Sequence, residues 1–238
     1  MLRLRKPETE FADLLLFRIS EDPGLPSLKI ATASPIVGEP VLMIAAGTSR
    51  GGRYSRYTKG SEPLDGFTWE SDQTKRWGTN RVEGPPKFLR HRETNTMAFP
   101  LKFSRIEEPG GTRYEAAGAL GDSGGAVFAH EAPRDPSSDW VLSGIIFSVT
   151  SRGDALERTT LYKDLTWVAD LSYYRDEIMG HIRQYENGAT GQADPTAEGP
   201  GGESDRLTLA AGLTALGFLG FLAWLRTRGA RAPALIDR

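Results

Sequence analysis

The residues best suited to chemistry in this chain are five consecutive ones, Gly121-Asp122-Ser123-Gly124-Gly125. A serine hydroxyl attacks a carbonyl carbon when a base takes its proton and hydrogen-bond donors stabilise the resulting oxyanion. Glycine at position 121 permits a backbone bend that aims its N–H and that of the serine at one point. The two later glycines let the chain pass close behind the serine, and the aspartate is expected to hold the loop by pairing with a buried cation. The spacing therefore indicates a loop built for a nucleophilic serine.

The sequence around this loop predicts β-strands. Short apolar runs recur between Gly, Pro, Asp and Ser residues, which is typical of an all-β barrel or sandwich. These runs cover residues 14–17, 41–44, 126–128 and 141–146, and a polar hairpin tip at 131–139 separates the last two.

The segment from about 168 to 185 has a different period. Leu171, Tyr174, Ile178 and Ile182 are three or four residues apart, with charged residues between them. This spacing predicts an amphipathic helix that closes the domain.

The composition changes after residue 187. Residues 188–206 are rich in Gly, Ala, Pro and acidic residues, which predicts a flexible linker. Residues 207–225 are nineteen residues without a charge. As a helix they span roughly 28 Å, about the thickness of the hydrocarbon layer of a membrane. We expect a transmembrane helix, with a buried core helix as the alternative.

The basic tail at 226–238 sets the expected topology. It contains Arg226, Arg228 and Arg231, and arginine gathers on the cytoplasmic side of membranes. The globular part, residues 1–187, is then expected outside the cytoplasm, in the periplasm or at the cell surface of a bacterial envelope. A Gly-rich spacer before the apolar span also resembles envelope sorting signals that are later cleaved, so a permanent anchor and a cleaved one stay open.

The composition excludes several classes of function. The 29 basic and 31 acidic residues leave a net charge of −2, which gives no reason to expect a nucleic-acid partner. With no cysteine, disulfides, thiolate metal sites and cysteine nucleophiles are excluded. The three histidines are scattered along the chain, so we expect no metal site and no cofactor.

Together these segments resemble the trypsin/chymotrypsin family of serine proteases over roughly residues 10–185. The resemblance rests on the 121–125 loop, the strand with Gly144-Ile145-Ile146, the closing helix after residues 162–165, the segment 12–19 and the strand segment 38–47. Residues 77–80 are also interpreted as a turn like one in that family. The implied fold is a double β-barrel whose first barrel is incomplete here.

The resemblance also implies roles for individual residues. Ser123 would be the nucleophile, and the N–H groups of Gly121 and Ser123 would form the oxyanion hole. Asp122, Gly124 and Gly125 would support the loop. Asp13 would orient the catalytic imidazole, although an aspartate capping a turn at a strand entry is the alternative.

A protein or peptide substrate follows from the same resemblance. The residues expected around its primary side-chain pocket are Ala117, Gly118, Phe147, Ser148 and Val149. Because no carboxylate stands at the pocket base, we expect a preference for a small or apolar side chain rather than Arg or Lys.

The chain departs from the family in its histidines. The family histidine lies well before the aspartate, and no histidine precedes Asp13. His91, His130 and His181 are each expected to be structural or at the surface. One N-terminal extension would restore a signal peptide, the histidine and the missing strands, so we expect a truncated serine endopeptidase. The alternative is an inactive relative, a non-catalytic binding module anchored at the cell surface.

Overall fold

The computed structural model describes residues 1–5, 10–57, 63–150 and 158–190. These residues are mostly β, as predicted. The strands are β1 (Leu2–Arg5), β2 (Phe11–Leu16), β3 (Pro40–Ala45), β4 (Thr48–Arg56), β5 (Leu64–Gln73), β6 (Arg76–Arg81), β7 (Lys87–His91), β8 (Thr94–Lys102), β9 (Ala126–His130), β10 (Trp140–Thr150), β11 (Thr159–Leu161) and β12 (Leu165–Asp170), and helix α1 is Leu171–Thr190. All the strands belong to one compact unit, residues 1–181.

The largest sheet has seven antiparallel strands in the order β6-β3-β9-β10-β12-β8-β7. The chain just after β6 returns to β8 through an isolated antiparallel bridge between Val82 and Leu101. Both side chains are buried, so this bridge is part of the core. The predicted runs at 41–44, 126–128 and 141–146 all lie in this sheet.

The interpretation of residues 77–80 as a turn is wrong. They belong to β6 and pair with β3, with Gly78 opposite Met43. A Cβ at Gly78 would lie 2.4 Å from the Cβ of Ala116. The glycine is therefore explained by close packing inside a strand rather than by a turn.

Alternate residues of the sheet pack into two separate cores, as the period of two in a strand requires. The first cluster consists of Val41, Met43, Val82, Phe99, Leu101, Val127, Ala129, Ile146 and Val168. The second consists of Leu4, Ala12, Leu14, Ala169, Leu171, Tyr174 and Ile178, with Ile145 and Phe147 among the partly buried residues packed against it.

The second core holds the β1–β2 hairpin, which forms a separate two-stranded sheet. In β2, Ala12 and Leu14 are buried while Asp13 and Leu15 are exposed. The hydroxyl of Tyr174 on α1 accepts the N–H of Met97 at 2.8 Å, and burial raises the pKa of this phenol to about 12. Helix and hairpin therefore share one buried apolar layer.

Helix α1 begins directly after β12. The carboxylate of Asp170 accepts the N–H and the hydroxyl of Ser172 at 3.0 and 2.6 Å, so Asp170 is the N-cap. The predicted helix is confirmed, although it continues to Thr190 rather than ending near residue 185.

A third sheet has the order β11-β5-β4, and the sequence analysis did not anticipate it. Its packing is aromatic: the ring of Phe67 lies edge-on to Tyr162 and Phe103, whose rings stack 4.7 Å apart. Glycine at position 66 is needed because a Cβ there would lie 2.1 Å from the carbonyl oxygen of Thr160.

Most of the predicted linker and all of the predicted membrane segment and tail, residues 191–238, lie outside the described residues. Within the described part, no helix has both the length and the apolar character needed to cross a membrane. The expectation of a transmembrane helix at 207–225 therefore stays a prediction.

Candidate active site

The loop that carries Ser123 is fastened to strand β10. The N–H of Gly124 donates to the carbonyl oxygen of Ile146 at 2.8 Å, and the N–H of Ile146 donates to the carbonyl oxygen of Gly125 at 2.9 Å. Ser123 itself is exposed. The backbone thus presents the serine hydroxyl to solvent from a loop whose next residues are already bonded to the sheet.

Gly121 and Gly124 give this loop its shape. They have φ angles of +91° and +86°, in the left-handed region that L side chains rarely adopt. A Cβ at Gly121 would also lie 2.8 Å from Nε2 of Gln73. The predicted bend before the serine therefore exists, and it requires glycine for both conformation and space.

Asp122 holds the loop through backbone amides. Its Oδ1 accepts the N–H of Gly47 at 2.7 Å, and its Oδ2 accepts the N–H of Ala119 at 2.8 Å. No ion pair within the described ranges includes this carboxylate, so the expected pairing with a buried cation is wrong. Burial raises its pKa, while the two amides and the charge of Arg76 act in the opposite direction.

The contact between Asp122 and Gly47 depends on glycine at position 47. A Cβ there would lie 2.4 Å from Oδ1 of Asp122. Gly47 and Ala119 are thus supporting residues that the sequence analysis did not single out. In the sequence Gly47 is marked only as the end of an apolar segment. No local pattern indicates that its N–H binds Asp122, 75 residues away.

The amides around the serine differ in their bonding. The N–H of Asp122 donates to the carbonyl oxygen of Ala119 at 3.1 Å. The N–H groups of Gly121 and Ser123 have no acceptor within residues 1–5, 10–57, 63–150 and 158–190. Two amide donors beside the serine are therefore available to an external oxygen atom, which is what oxyanion stabilisation needs.

Asp13 lies in the middle of β2, and it does not cap a turn at the strand entry. Its backbone N–H donates to Oγ1 of Thr96 at 2.9 Å. Its side chain is exposed, and the carboxylate has no hydrogen-bond partner within the described part of the chain. The carboxylate is thus open to a donor such as an imidazole N–H.

The three histidines have other surroundings. His91 ends β7, and Nε2 of His181 lies 4.0 Å from the carboxylate of Glu177 on the same helix. Nδ1 of His130 lies 2.8 Å from the carbonyl oxygen of Ser138, and its ring lies against Trp140 with the centroids 3.9 Å apart. None of these contacts involves Ser123.

The expected primary pocket is only partly assembled. Ala117, Gly118 and Val149 line a small space of about 10 Å³ together with Thr166. A Cβ at Gly118 would lie 3.0 Å from side-chain carbons of both Val149 and Thr166. A space of this size holds about one water molecule, so Val149 and Thr166 nearly fill the pocket.

Phe147 and Ser148 do not line this space. Phe147 packs against the second core, and Ser148 lies opposite Trp167 in the ladder between β10 and β12. Thr166 was missed by the sequence analysis. Its hydroxyl accepts the N–H of Gly118 at 2.7 Å, a contact with no sequence signal.

A larger cavity of about 250 Å³ lies beside the nucleophile loop and shares Trp69, Ala117 and Thr160 with the small space. Asp122 and Ala119 belong to its wall. The rest of the lining comes from β3, β4, β5, β6, β10, β11, Phe103 and residues 114–117 and includes Met43, Thr48, Arg50, Phe67, Trp69, Trp77, Tyr114, Ala116 and Ile146. The described residues contain no cluster of acidic and histidine side chains that could hold a metal ion.

Comparisons with protein-family models, with curated proteins and with solved structures gave no match to this chain.

Proposed function

We propose that this chain carries the nucleophile of a chymotrypsin-like serine endopeptidase, which cleaves peptide bonds through an acyl-enzyme on Ser123. The supporting observation is an exposed serine whose own N–H and that of Gly121 have no acceptor in the described part of the chain, in a loop held by the carboxylate of Asp122. The amides of Gly121 and Ser123 would bind the oxyanion.

The strand arrangement supports the proposed double-barrel fold. The bridge between Val82 and Leu101 brings the β6 side of the large sheet back to β8, as closure into the second barrel would require. The β1–β2 hairpin, packed on the second core, would be the remnant of the first barrel.

Asp13 and the serine loop are bonded to different strands of the large sheet, Asp13 to Thr96 on β8 and the loop to Ile146 on β10. The serine loop bonds to β10 at Ile146, and the next residue, Phe147, packs against the core that contains Ala12 and Leu14. These two residues flank Asp13 in sequence. Because side chains alternate along a strand, the Asp13 side chain lies on the opposite face of β2 from that core, and β12 separates β8 from β10. A site shared by Asp13 and Ser123 therefore rests on the resemblance and is part of the proposal.

In the proposed reaction an imidazole takes the proton of the Ser123 hydroxyl as Oγ forms a bond to the carbonyl carbon. The oxyanion rests on the two amides, the C–N bond breaks, and the amine leaves with that proton. Water then attacks the ester, giving the carboxylic acid and regenerating the serine. Asp13 would orient the imidazole, which none of the three histidines of this chain supplies at Ser123.

The filled pocket indicates the substrate class. With Val149 and Thr166 closing on Gly118, the side chain before the scissile bond would be small, such as that of glycine, alanine or serine. The proposed location is outside the cytoplasm, with residues 207–225 as a membrane anchor.

The test is labelling of the full 238-residue chain with a fluorophosphonate, with and without free imidazole as a replacement base. We expect imidazole to accelerate labelling of Ser123 by about 10- to 100-fold, at or below the lower end of the roughly 10²–10⁴-fold that a positioned general base supplies. Ser123→Ala should abolish the accelerated labelling, and Asp13→Asn should reduce it.

Ser137 provides a matched control. It is exposed and donates to the carboxylate of Asp135 at 2.6 Å, but it lies in a hairpin tip outside the proposed site. Ser137→Ala should leave the labelling unchanged. Equal labelling of both serines would contradict the proposal, as would labelling of Ser123 that does not respond to imidazole.

The alternative function is a non-catalytic binding module with the same scaffold. It is favoured by one observation, that the contacts of His91, His130 and His181 do not involve Ser123. Failure of imidazole to activate Ser123 in a folded chain would support this alternative.

A further inference from the structure

The 250 Å³ cavity has a chemical character that the proposed protease function does not use. Much of its wall is aromatic, with Phe67 and Trp69 on one sheet and Trp77 and Tyr114 on the other side. The rings of Trp77 and Tyr114 pack edge-to-face with centroids 5.0 Å apart. Met43, Ala116 and Ile146 add aliphatic surface. Such a wall suits a flat apolar body.

Two donors in the wall have no acceptor among the residues that the structure describes, one of them buried and the other, on Arg50, exposed to solvent. Oγ1 of Thr48 is buried without a hydrogen-bond partner. The guanidinium of Arg50 lies 4.6 Å from the centre of the Phe67 ring and has no carboxylate partner in the described ranges. A buried hydroxyl without a partner has a free-energy cost, which a bound acceptor would remove.

The carboxylates in the wall are already occupied. Both oxygens of Asp122 accept backbone N–H groups. Oε1 of Glu115 accepts the N–H of Ser104, and its Oε2 accepts the N–H and the hydroxyl of Thr112. The lining thus has donors to spare while its acceptors are engaged, so it favours an anionic ligand over a cationic one.

We propose that this cavity binds a small organic acid, with the carboxylate at Arg50 and Thr48 and the apolar body among the aromatic side chains. The volume is slightly below the range of roughly 300–1,000 Å³ usual for ligand pockets, so an acid with a single ring is the right size. Ser123 is not among the residues that line this cavity, so the inference does not depend on the proposed protease function, although Asp122 and Ala117 belong to both regions.

The test is calorimetric titration of the full chain with 3-phenylpropionate, using 3-phenylpropanol and 3-phenylpropylamine as ligands with the same skeleton. We expect the acid to bind about tenfold more tightly than the alcohol, because a charge-assisted hydrogen bond replaces a neutral one. The amine should bind most weakly. Quenching of Trp fluorescence should follow the same order, since Trp69 and Trp77 line the cavity.

Two substitutions locate the ligand. Arg50→Gln should weaken binding of the acid by about tenfold and leave binding of the alcohol nearly unchanged. Thr48→Val should weaken it by a few-fold without lowering the midpoint of urea unfolding, since this hydroxyl has no partner to lose. The matched control is Arg3→Gln, which removes another arginine that lies over a phenylalanine ring, that of Phe11.

Tighter binding of the amine than of the acid would overturn the proposal and identify the cavity as a site for a cation. Absence of binding by the acid would also overturn it, as would an Arg50→Gln chain that binds the acid as well as the original. Labelling of Ser123 by fluorophosphonate is measured separately, so the two proposals can fail independently.

Discussion

At the scale of single residues, Asp122 determines whether the serine loop keeps its shape. It is one carboxylate that accepts two backbone N–H groups, from Gly47 and Ala119, which belong to different segments. Its own N–H donates back to the carbonyl oxygen of Ala119, closing a tight turn before Ser123. Removing either acceptor leaves a backbone N–H group without a partner.

We therefore expect Asp122→Asn to lower the free energy of unfolding by about 1–3 kcal/mol, because its NH₂ group cannot accept from the second amide. Urea unfolding followed by circular dichroism measures this. Asp135→Asn, at an exposed position in a hairpin tip, is the control and should change stability far less. Equal effects would show that Asp122 does not anchor the loop.

The space proposed as the primary pocket is limited in part by Val149. Val149→Gly should open the space beside Gly118, since the Val149 side chain lies 3.0 Å from where a Cβ of Gly118 would be. We expect a peptidyl phosphonate with phenylalanine at its terminal position to gain at least about tenfold in imidazole-dependent labelling relative to one with alanine, because each buried methylene is worth ~0.8 kcal/mol.

The control for this change is Val37→Gly, at a valine that is also exposed and does not line the pocket. It should leave the ratio of the two phosphonates unchanged. If Val149→Gly also leaves the ratio unchanged, this space is not the pocket that receives the substrate side chain.

At the scale of elements, the β1–β2 hairpin is stabilised more by burial of its apolar side chains than by strand pairing with the large sheet, since it forms a separate two-stranded sheet. Leu14 is 7% exposed and its neighbour Leu15 is 53% exposed, so the two leucines differ in burial alone. We expect Leu14→Ala to lower the free energy of unfolding by about 2–4 kcal/mol.

Leu15→Ala, by contrast, should change stability by no more than about 0.5 kcal/mol. Urea unfolding of both variants, with hydrogen exchange at β2, measures the difference. Similar losses for both would mean that the hairpin is not packed on helix α1 as described.

The elements also show what the sequence could predict and why. Runs such as 41–44 and 141–146 are apolar enough to identify a strand from local pattern alone, and the period of Leu171, Tyr174 and Ile178 identified the helix. Strand β4, residues Thr48–Arg56, contains three arginines and two glycines and has no such pattern. Its pairing with β5 is fixed by distant contacts.

The candidate site also contains some residues that the sequence could predict and others that it could not. Gly121 and Ser123 belong to a contiguous motif, so their bend could be anticipated from residue types. The amide of Gly47, the hydroxyl of Thr166 and the cavity wall come from segments that are far apart in the chain. No local signal marks them, because their roles arise only when the sheets pack.

At the scale of the whole molecule, two partly buried carboxyl groups give the free energy of unfolding an unusual dependence on pH. Burial raises the pKa of both Asp122 and Glu115 above their ordinary values of 3.8 and 4.5. In the window between the ordinary and the raised values, the folded state holds more protons than the unfolded state. Linkage then requires that stability fall as the pH rises through this window.

The carboxyls with lowered pKa act in the opposite direction and at lower pH. Hydrogen bonds to arginine or to neutral side chains lower the pKa of Glu10, Asp65, Asp72 and Asp135. Their contribution to the free energy of unfolding is fully present above the ordinary pKa values. It is lost as the pH falls through the lowered pKa values of the folded state. Asp72 and Asp135 are exposed, so their effect is small, whereas the Asp65 side chain is 10% exposed and pairs with Arg53 and Arg105, so it has the largest effect of the four.

We therefore expect the free energy of unfolding to decrease as the pH rises above about 4.5, where most proteins are still gaining stability. Urea unfolding at a series of pH values measures it, and Asp122→Asn should flatten the decline while Asp135→Asn should not. A stability that rises steadily from pH 4 to pH 7 would contradict this assignment of the buried groups.

Strand β10 supplies Ile146 to one core and Ile145 and Phe147 to the other. Loss or gain of one codon within this strand would exchange the two sets, turning each side chain toward the wrong neighbours. A change of one residue in β10 is therefore expected to destabilise both cores unless a β-bulge absorbs it, as the register shifts at 142–144 and 146–148 of this strand do, whereas the polar tip at 131–139 can change length without exchanging the two sets.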